Sequence, residues 1–202
     1  MMFQESRLAH KYCIGSGLEI GGAAHNPFGL NALNVDVRQR EVDHEGNKAL
    51  HVDILASGDN ISLPDGSQSF IVSSHVFEHL FDPIKALLEW DRLIKINGVI
   101  FMIIPHKERT FDKHAGRTAL QHLVDDYTNK VTKGHEKNGK HQHDHVWITE
   151  DIVELINWVI DNLGIQWVVE EAQDIDDKVG NGFTVVVRKK GLILTSQERG
   201  GE

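Results

Sequence analysis

Three observations predict an α/β fold built on an open, mostly parallel sheet. Apolar runs of strand length alternate with amphipathic helical stretches along the 202-residue chain. Val99-Ile100-Phe101-Met102-Ile103-Ile104 is apolar without interruption, as a central strand covered on both faces must be. Asp82-Pro83, followed by Ile84, Leu87, Leu88, Leu93 and Ile94, sets an N-cap acid and a first-turn proline at the head of a helix with one apolar stripe. The pattern predicts seven strands, helices on both faces and an insertion after the fifth strand.

Residues 5–12 read as a short opening helix, and 17–21 as the first strand. The second strand is expected at 33–37, the third at 50–55 and the fourth at 69–74, the last after the turn Pro64-Asp65-Gly66-Ser67. The helix from Asp82 should run to about Lys95, where Asn97-Gly98 stops it, and the fifth strand follows at 99–105. Residues 106–146 break the rhythm. They are polar and His-rich, and are expected to form an insertion or lid with a helix near 117–130. A helix near 149–163, capped by Thr149 or Asp151, then leads to strands at 165–171 and 183–188 and a frayed tail over 191–202. No repeat or low-complexity linker divides the sequence, so residues 1–202 are expected to form one domain.

Lys plus Arg number 21 against 30 Asp plus Glu, a formal charge of -9. Such an acidic chain is a poor partner for a nucleic-acid backbone. The lone cysteine, Cys13, allows no internal disulfide and reads as a small apolar residue before the first strand. No apolar run reaches the roughly 20 residues of a membrane span, and the N-terminus lacks a signal-like apolar stretch. A soluble cytoplasmic protein with no membrane and no nucleic-acid partner is expected.

Gly17-Leu18-Glu19-Ile20-Gly21-Gly22-Ala23-Ala24-His25 carries the chemistry. A short strand bearing an acid runs into a turn of small residues, where backbone can come close to a ligand. Asp36 ends the next strand-like run, Ala32-Leu33-Asn34-Val35-Asp36. Acids at two strand ends suit a nucleoside with two ribose hydroxyls. The glycine spacing of a dinucleotide fingerprint is missing: Gly15-Ser16-Gly17 precedes the strand and Gly21 comes one residue late. A pyrophosphate cradle is therefore disfavoured.

At these residues the chain resembles class I S-adenosylmethionine-dependent methyltransferases of the type 11 group. Gly17-Leu18-Glu19-Ile20-Gly21-Gly22-Ala23 is similar to the family's first motif, and Asp36 to its ribose-binding acid. Further matches are Asp53-Ile54, Leu63-Pro64-Asp65-Gly66-Ser67 with Ser69-Phe70-Ile71-Val72, and Leu93-Ile94-Lys95-Ile96-Asn97-Gly98. Ser73-Ser74-His75-Val76-Phe77-Glu78-His79-Leu80-Phe81-Asp82-Pro83 is the most specific block. Ala23 and Ile96-Asn97 depart from the usual glycine and Pro-Gly. The resemblance implies a Rossmann-like fold and S-adenosyl-L-methionine as cofactor. It places the cofactor against Glu19, Gly21, Gly22, Ala23, Asp36, Asp53, Ile54, Ser74 and His75. Glu19 would face its amino-acid part, Asp36 its ribose, and Asp53 with the Ile54 amide its adenine. Lys11 to Pro27 and Phe111 to Tyr127 also look similar to methyltransferases associated with surface-polysaccharide genes.

Two metal patterns compete with this reading. His75-x-x-Glu78-His79 has the form of an inverted zinc-peptidase motif, but His75 directly follows a strand, so the two imidazoles are not expected on one helical face. His141-x-His143-Asp144-His145 could converge on a metal in an extended segment, yet with His135 it lies among glycines, lysines and an asparagine that suggest a solvated loop. No metal is expected at either. Glu78 and His79 read as helix-start and packing residues.

Methyl transfer from a sulfonium needs an aligned acceptor and removal of a proton. Histidine suits the proton, with His106, His122 and His145 the catalytic candidates beside His75. Phe111, Arg117, Thr118 and His122 would shape an acceptor pocket, and Asp125 would orient a base or bind a hydroxyl. The expected reaction is methylation of a small molecule at a hydroxyl oxygen, with sugars in view. The alternative is a cofactor-binding sensor or partner subunit without turnover.

Overall fold

The computed structural model of the protein describes residues 5–22, 28–42, 48–133 and 143–191. Ala23, His25, His135, His141 and most of the C-terminal tail lie outside the described residues. In chain order the elements are α1 (Arg7–Tyr12), β1 (Gly17–Ile20), β2 (Ala32–Asp36), β3 (Ile54–Leu55), β4 (Gln68–Ser74), α2 (Pro83–Leu93), β5 (Ile94–Pro105), α3 (Leu120–Asn129), α4 (Thr149–Leu163), β6 (Trp167–Gln173) and β7 (Gly182–Lys189). The strands form one seven-stranded sheet in the order β3-β2-β1-β4-β5-β7-β6. The first five run parallel, and β7 lies antiparallel between β5 and β6.

Both faces of the sheet are covered. On one, α2, α3 and α4 bury Leu18, Ile71, Ile100, Met102 and Val185 under Trp90, Leu123, Trp147 and Leu155. On the other, α1 and the segment at Phe28 bury Phe70, Val72, Phe101, Ile103 and Val186. The central strand is apolar throughout for this reason: residues 98–106 are all buried.

The helix starts follow the expected capping chemistry. Ser6 accepts the Ala9 N–H at 2.9 Å, and Asp82 accepts the Lys85 N–H at 2.9 Å ahead of Pro83. At α4 the cap position is Ile148, and Asp151 reaches back to its N–H at 2.9 Å.

The sixth strand, Trp167–Gln173, lies two residues later than expected, and two other boundaries differ more. The third strand is only Ile54–Leu55 rather than 50–55. Side chains satisfy the backbone upstream of it instead. Gln39 accepts the Val52 N–H at 2.8 Å and donates to the Leu50 carbonyl at 2.9 Å, while Asn34 donates to the His51 carbonyl at 2.8 Å. The fifth strand begins at Ile94, not 99, because α2 ends at Leu93 and the chain pairs at once with Gln68. An irregularity between Gln68 and Phe70 absorbs the step, with Asn97 at φ 67. A Cβ at Gly98 would lie 2.8 Å from the Lys95 carbonyl oxygen and 2.9 Å from that of Ser69.

The segment after β5 folds back onto the helical face. Short 3-10 turns at Lys107–Arg109 and Phe111–His114 precede α3. His106 and Trp147 form a parallel bridge. Thr118 donates its N–H to the Val146 carbonyl at 2.8 Å and accepts the Val146 N–H on its hydroxyl at 3.0 Å. Among the described residues no helix is long and apolar enough to cross a membrane.

Candidate active site

The carboxyl ends of β1, β2 and β4 surround a crevice of about 590 Å³. It lies at the β1–β4 boundary, where the strand order changes direction and α/β sheets open a binding cleft. Gly21, Asp36, Gly58, Asp59, His75 and His79 are among its lining residues.

Each wall has a local cause. Gly21 leaves β1 at φ 75 and donates its N–H to the Val35 carbonyl at 2.7 Å. A Cβ there would sit 2.3 Å from Val76 Cγ2, so only glycine brings this backbone to the crevice. Asp36 ends β2, and its side chain accepts the Arg38 N–H at 3.2 Å. The turn at residues 57–61 is held from α2. Trp90 donates its indole N–H to the Gly58 carbonyl at 2.7 Å, and Glu89 accepts the Ile61 N–H at 2.7 Å. Asp59 meets Lys85 at 2.7 Å. Burial pushes the Asp59 carboxyl up, but hydrogen bonds from Lys85 and Ser57 outweigh it and hold the group below the usual carboxylate range. His75 takes the left-handed conformation at φ 54 and donates its N–H to the Ile103 carbonyl at 2.9 Å, between β4 and the 3-10 turn Phe77–His79.

The expected cofactor residues divide into two groups. Gly21, Asp36 and His75 line the crevice. Glu19 and Gly22 are not among its lining residues, and a Cβ on Gly22 would be 2.9 Å from both Glu19 Oε1 and Asn34 Oδ1. Burial pushes the Glu19 carboxyl up to about 7, opposed by the Lys178 ammonium and a hydrogen bond from the Phe28 backbone. Lys178 in turn sits 4.2 Å from the centre of the Phe28 ring. Asp53, Ile54 and Ser74 are not among the lining residues. Asp53 instead accepts the Asn34 N–H at 2.8 Å, extending the β2–β3 edge. Asp59 occupies the crevice edge where Asp53 was expected, with Arg38 and Arg40 nearby. The available signal for it was an acid in the turn Gly58-Asp59-Asn60, just before Leu63-Pro64-Asp65-Gly66.

None of the three candidate bases lines the crevice. His106 ends β5 facing Phe183 and Asp174, with Asp174 Oδ1 3.5 Å from its Nε2. Burial and then the Arg109 guanidinium hold its imidazole below the usual range, against Asp174. His122 pairs with Asp126 at 3.3 Å, while Asp125 accepts from Gln121 at 2.8 Å. His145 stacks on Trp147 at 5.1 Å, and its Nε2 contacts the Leu80 carbonyl at 3.1 Å. The expected acceptor-pocket residues also separate. Arg117 is bound to Asp151 and Thr118 to Val146, both at the foot of α4. Phe111 packs on His143 with ring centres 4.7 Å apart.

His143 overturns the solvated-loop expectation for its part of the segment. His145 is 1% exposed and the His143 side chain 9%. They also diverge rather than converge. His143 Nδ1 lies 2.6 Å from Asp112 Oδ2, and its Nε2 lies 3.8 Å from Glu78 Oε1. Glu78 is 1% exposed, and burial pushes its carboxyl up to about 8, with Asp112 adding to the rise against a backbone hydrogen bond. A residue read as simple packing therefore stands beside the crevice wall as a buried acid.

The methyltransferase domain model of the type 11 family matches residues 12–102. No protein of curated function matches the chain. Solved structures share the fold. A SAM-dependent methyltransferase from Thermotoga maritima is 20% identical with a TM-score of 0.55, over 91% of this chain and 87% of that one. One from Aquifex aeolicus is 16% identical with a TM-score of 0.54, over 93% and 90%. A methyltransferase from Haloferax volcanii, seen in complex with the Trm112 activator, is 11% identical with a TM-score of 0.52, over 88% and 82%. The matched segment ends inside β5 and contains every residue that lines the crevice. Residues 12–102 thus match the methyltransferase domain model of the type 11 group, and the chain shares its fold with S-adenosylmethionine-dependent methyltransferases.

Proposed function

We propose that the protein methylates a hydroxyl oxygen of a small molecule, with sugars the favoured class. The observation that carries this is that His75 and His79 line the same crevice as Gly21 and Asp36. Asp36 would accept hydrogen bonds from the cofactor ribose, and the Gly21 backbone would approach its amino-acid end. Asp59, with the turn behind it, is better placed than Asp53 for the adenine amine. Glu19 would act through Gly22, fixing the turn from beneath. The sulfonium methyl would then face the β4 end, where His75 can take the hydroxyl proton. His106, His122 and His145 would shape the acceptor side instead of touching the methyl. The acidic charge of -9 supports a small acceptor over a nucleic acid.

The test is turnover of the cofactor to its demethylated thioether with a panel of sugars and sugar nucleotides, set against amines, protein and RNA. Product methylated at oxygen on a sugar supports the reading. Turnover only with amines, protein or RNA overturns the acceptor assignment. Tight cofactor binding without turnover on any acceptor would make the chain a sensor or partner subunit.

A further inference from the structure

Beside the cofactor crevice, two elements far apart in sequence bring metal-ligating side chains together. Glu78 and His79 lie on the 3-10 turn after β4, and His143 on the return from the inserted segment. His79 Nε2 and His143 Nε2 each stand 3.8 Å from Glu78 Oε1. The three ligand atoms all lie within 4.8 Å of one another. Backbone contacts fix the approach, since the Asp144 and His145 N–H groups both donate to the Glu78 carbonyl, at 3.0 and 3.1 Å.

Two further observations point to a ligand. Neither carboxylate oxygen of the buried Glu78 accepts a hydrogen bond from another residue among the described ones. A buried acid left so is costly unless something else compensates it. Asp112, 2% exposed, sits 2.6 Å from His143 Nδ1. A proton on Nδ1 donated to Asp112 leaves the Nε2 lone pair directed at Glu78, the carboxylate–histidine arrangement that orients metal ligands.

We propose that Glu78, His79 and His143 bind a divalent transition-metal cation at the lip of the cofactor crevice, with Asp112 positioning His143. Metal bonds of about 2.1 Å would bring the ligand atoms to roughly 3.0–3.5 Å apart, a contraction of about 0.3–0.8 Å for the two 3.8 Å pairs, with the two imidazoles closing from within 4.8 Å. Two imidazoles and one carboxylate suit manganese, iron, cobalt or zinc better than calcium or magnesium. Three protein ligands leave positions open, and the open side is His79, whose side chain is 45% exposed and lines the crevice.

This deepens the methyl-transfer reading and rests on it for its chemistry. The cation would bind the acceptor hydroxyl beside the sulfonium and lower its pKa. The hydroxyl proton passes to His75 and the new O–CH3 bond forms. The S–CH3 bond breaks with its electron pair kept on sulfur, giving the neutral thioether. The motif His75-x-x-Glu78-His79 is thus used in part: its last two residues act with a distant histidine, while the first serves the crevice. A second group, His122, Asp126 and His145, also has ligand atoms within 4.8 Å, but His145 Nε2 already contacts the Leu80 carbonyl.

The test titrates chelator-treated full-length protein with Co²⁺ by calorimetry, following the visible d–d absorption, and titrates S-adenosylmethionine separately. About one equivalent of Co²⁺ should bind, with the absorption of histidine ligation. His79→Ala and His143→Ala should each weaken binding 100-fold or more. Asp112→Asn should weaken it about 10–100-fold at unchanged stoichiometry. His122→Ala should leave Co²⁺ binding unchanged. His79 is 45% exposed, so its variant keeps the fold, and a metal-free thermal melt that matches wild type confirms that. The proposal is overturned if wild-type protein takes up no stoichiometric Co²⁺, if His79→Ala and His143→Ala bind like wild type, or if His122→Ala abolishes uptake. Cofactor binding that persists without metal binding would leave the methyltransferase reading standing and remove only the metal.

Discussion

Glu19 and Asp36 occupy neighbouring strands yet meet different environments. Asp36 lies in the crevice with one backbone donor, from Arg38. In the proposed cofactor pose, removing it deletes charge-assisted bonds to the ribose hydroxyls. Asp36→Ala should weaken cofactor binding by about 1–3 kcal/mol, and unchanged affinity on calorimetric titration would count against the ribose assignment. Glu19 is instead shifted by burial, to about 7 in the folded chain. Its ordinary value is near 4.3, so between these values the native state holds a proton that the unfolded chain releases. That contribution to stability is full at pH 4 and below, and is lost as pH rises through about 7. Glu19→Gln removes the titration. In cofactor-free thermal melts the variant should gain on wild type from pH 5 to pH 8, and a difference that does not vary with pH would refute the buried-acid account.

At the scale of elements, α2 builds the crevice without entering it. Its Trp90, Glu89 and Arg92 reach the 58–65 segment, where Arg92 donates to the Ile61 and Leu63 carbonyls at 2.9 and 2.7 Å. The helix therefore transmits its packing on the sheet to the turn that carries Asp59. Trp90→Phe keeps an aromatic ring in the core but strands the Gly58 carbonyl. It should cost about 1–3 kcal/mol in chemical denaturation and also weaken cofactor binding. A stability loss with wild-type affinity would mean that the turn holds its shape without the indole. A comparable device orders the segment before β7, where Asp176 accepts four backbone N–H groups, from Lys178, Val179, Gly180 and Gly182, at 2.6–3.0 Å. Burial pushes its carboxyl up, but these donors hold it below the usual range.

For the whole molecule, the sheet divides labour along its width. The parallel half, β3-β2-β1-β4, carries the crevice, and the antiparallel β7-β6 pair completes the far side of β5. Asp112, which follows β5, and His143, which precedes α4, pair with each other, and His143 faces Glu78. A ligand that binds only this folded arrangement must stabilise it. Cofactor at 100 times its Kd should add about 2.7 kcal/mol, read as a rise in melting temperature. Adenosine phosphates should give much less, because the turn after β1 lacks the dinucleotide glycine spacing. An equal shift from both would argue against a crevice built for the sulfonium.

Local chemistry made much of this legible in the sequence. The apolar fifth strand, the Asp82-Pro83 cap, the glycine turn at Gly21 and the acid ending β2 are determined by nearest neighbours along the chain. The short β3 was not legible, because Gln39 and Asn34, distant in sequence, satisfy the backbone that a longer strand would have paired. Asp59 was passed over because its place in the crevice depends on α2. Glu78 and His143 fall in two separate metal-like patterns, His75-x-x-Glu78-His79 and His141-x-His143-Asp144-His145, and nothing along the chain shows that the two segments meet. The sequence by itself determined the strand–helix alternation and the methyltransferase-like motif order over residues 12–102, since both follow from periodicity and short motifs. Only the tertiary structure decided which histidines face the crevice and which acid lies buried beside it, because burial and charge proximity arise when segments over sixty residues apart come into contact.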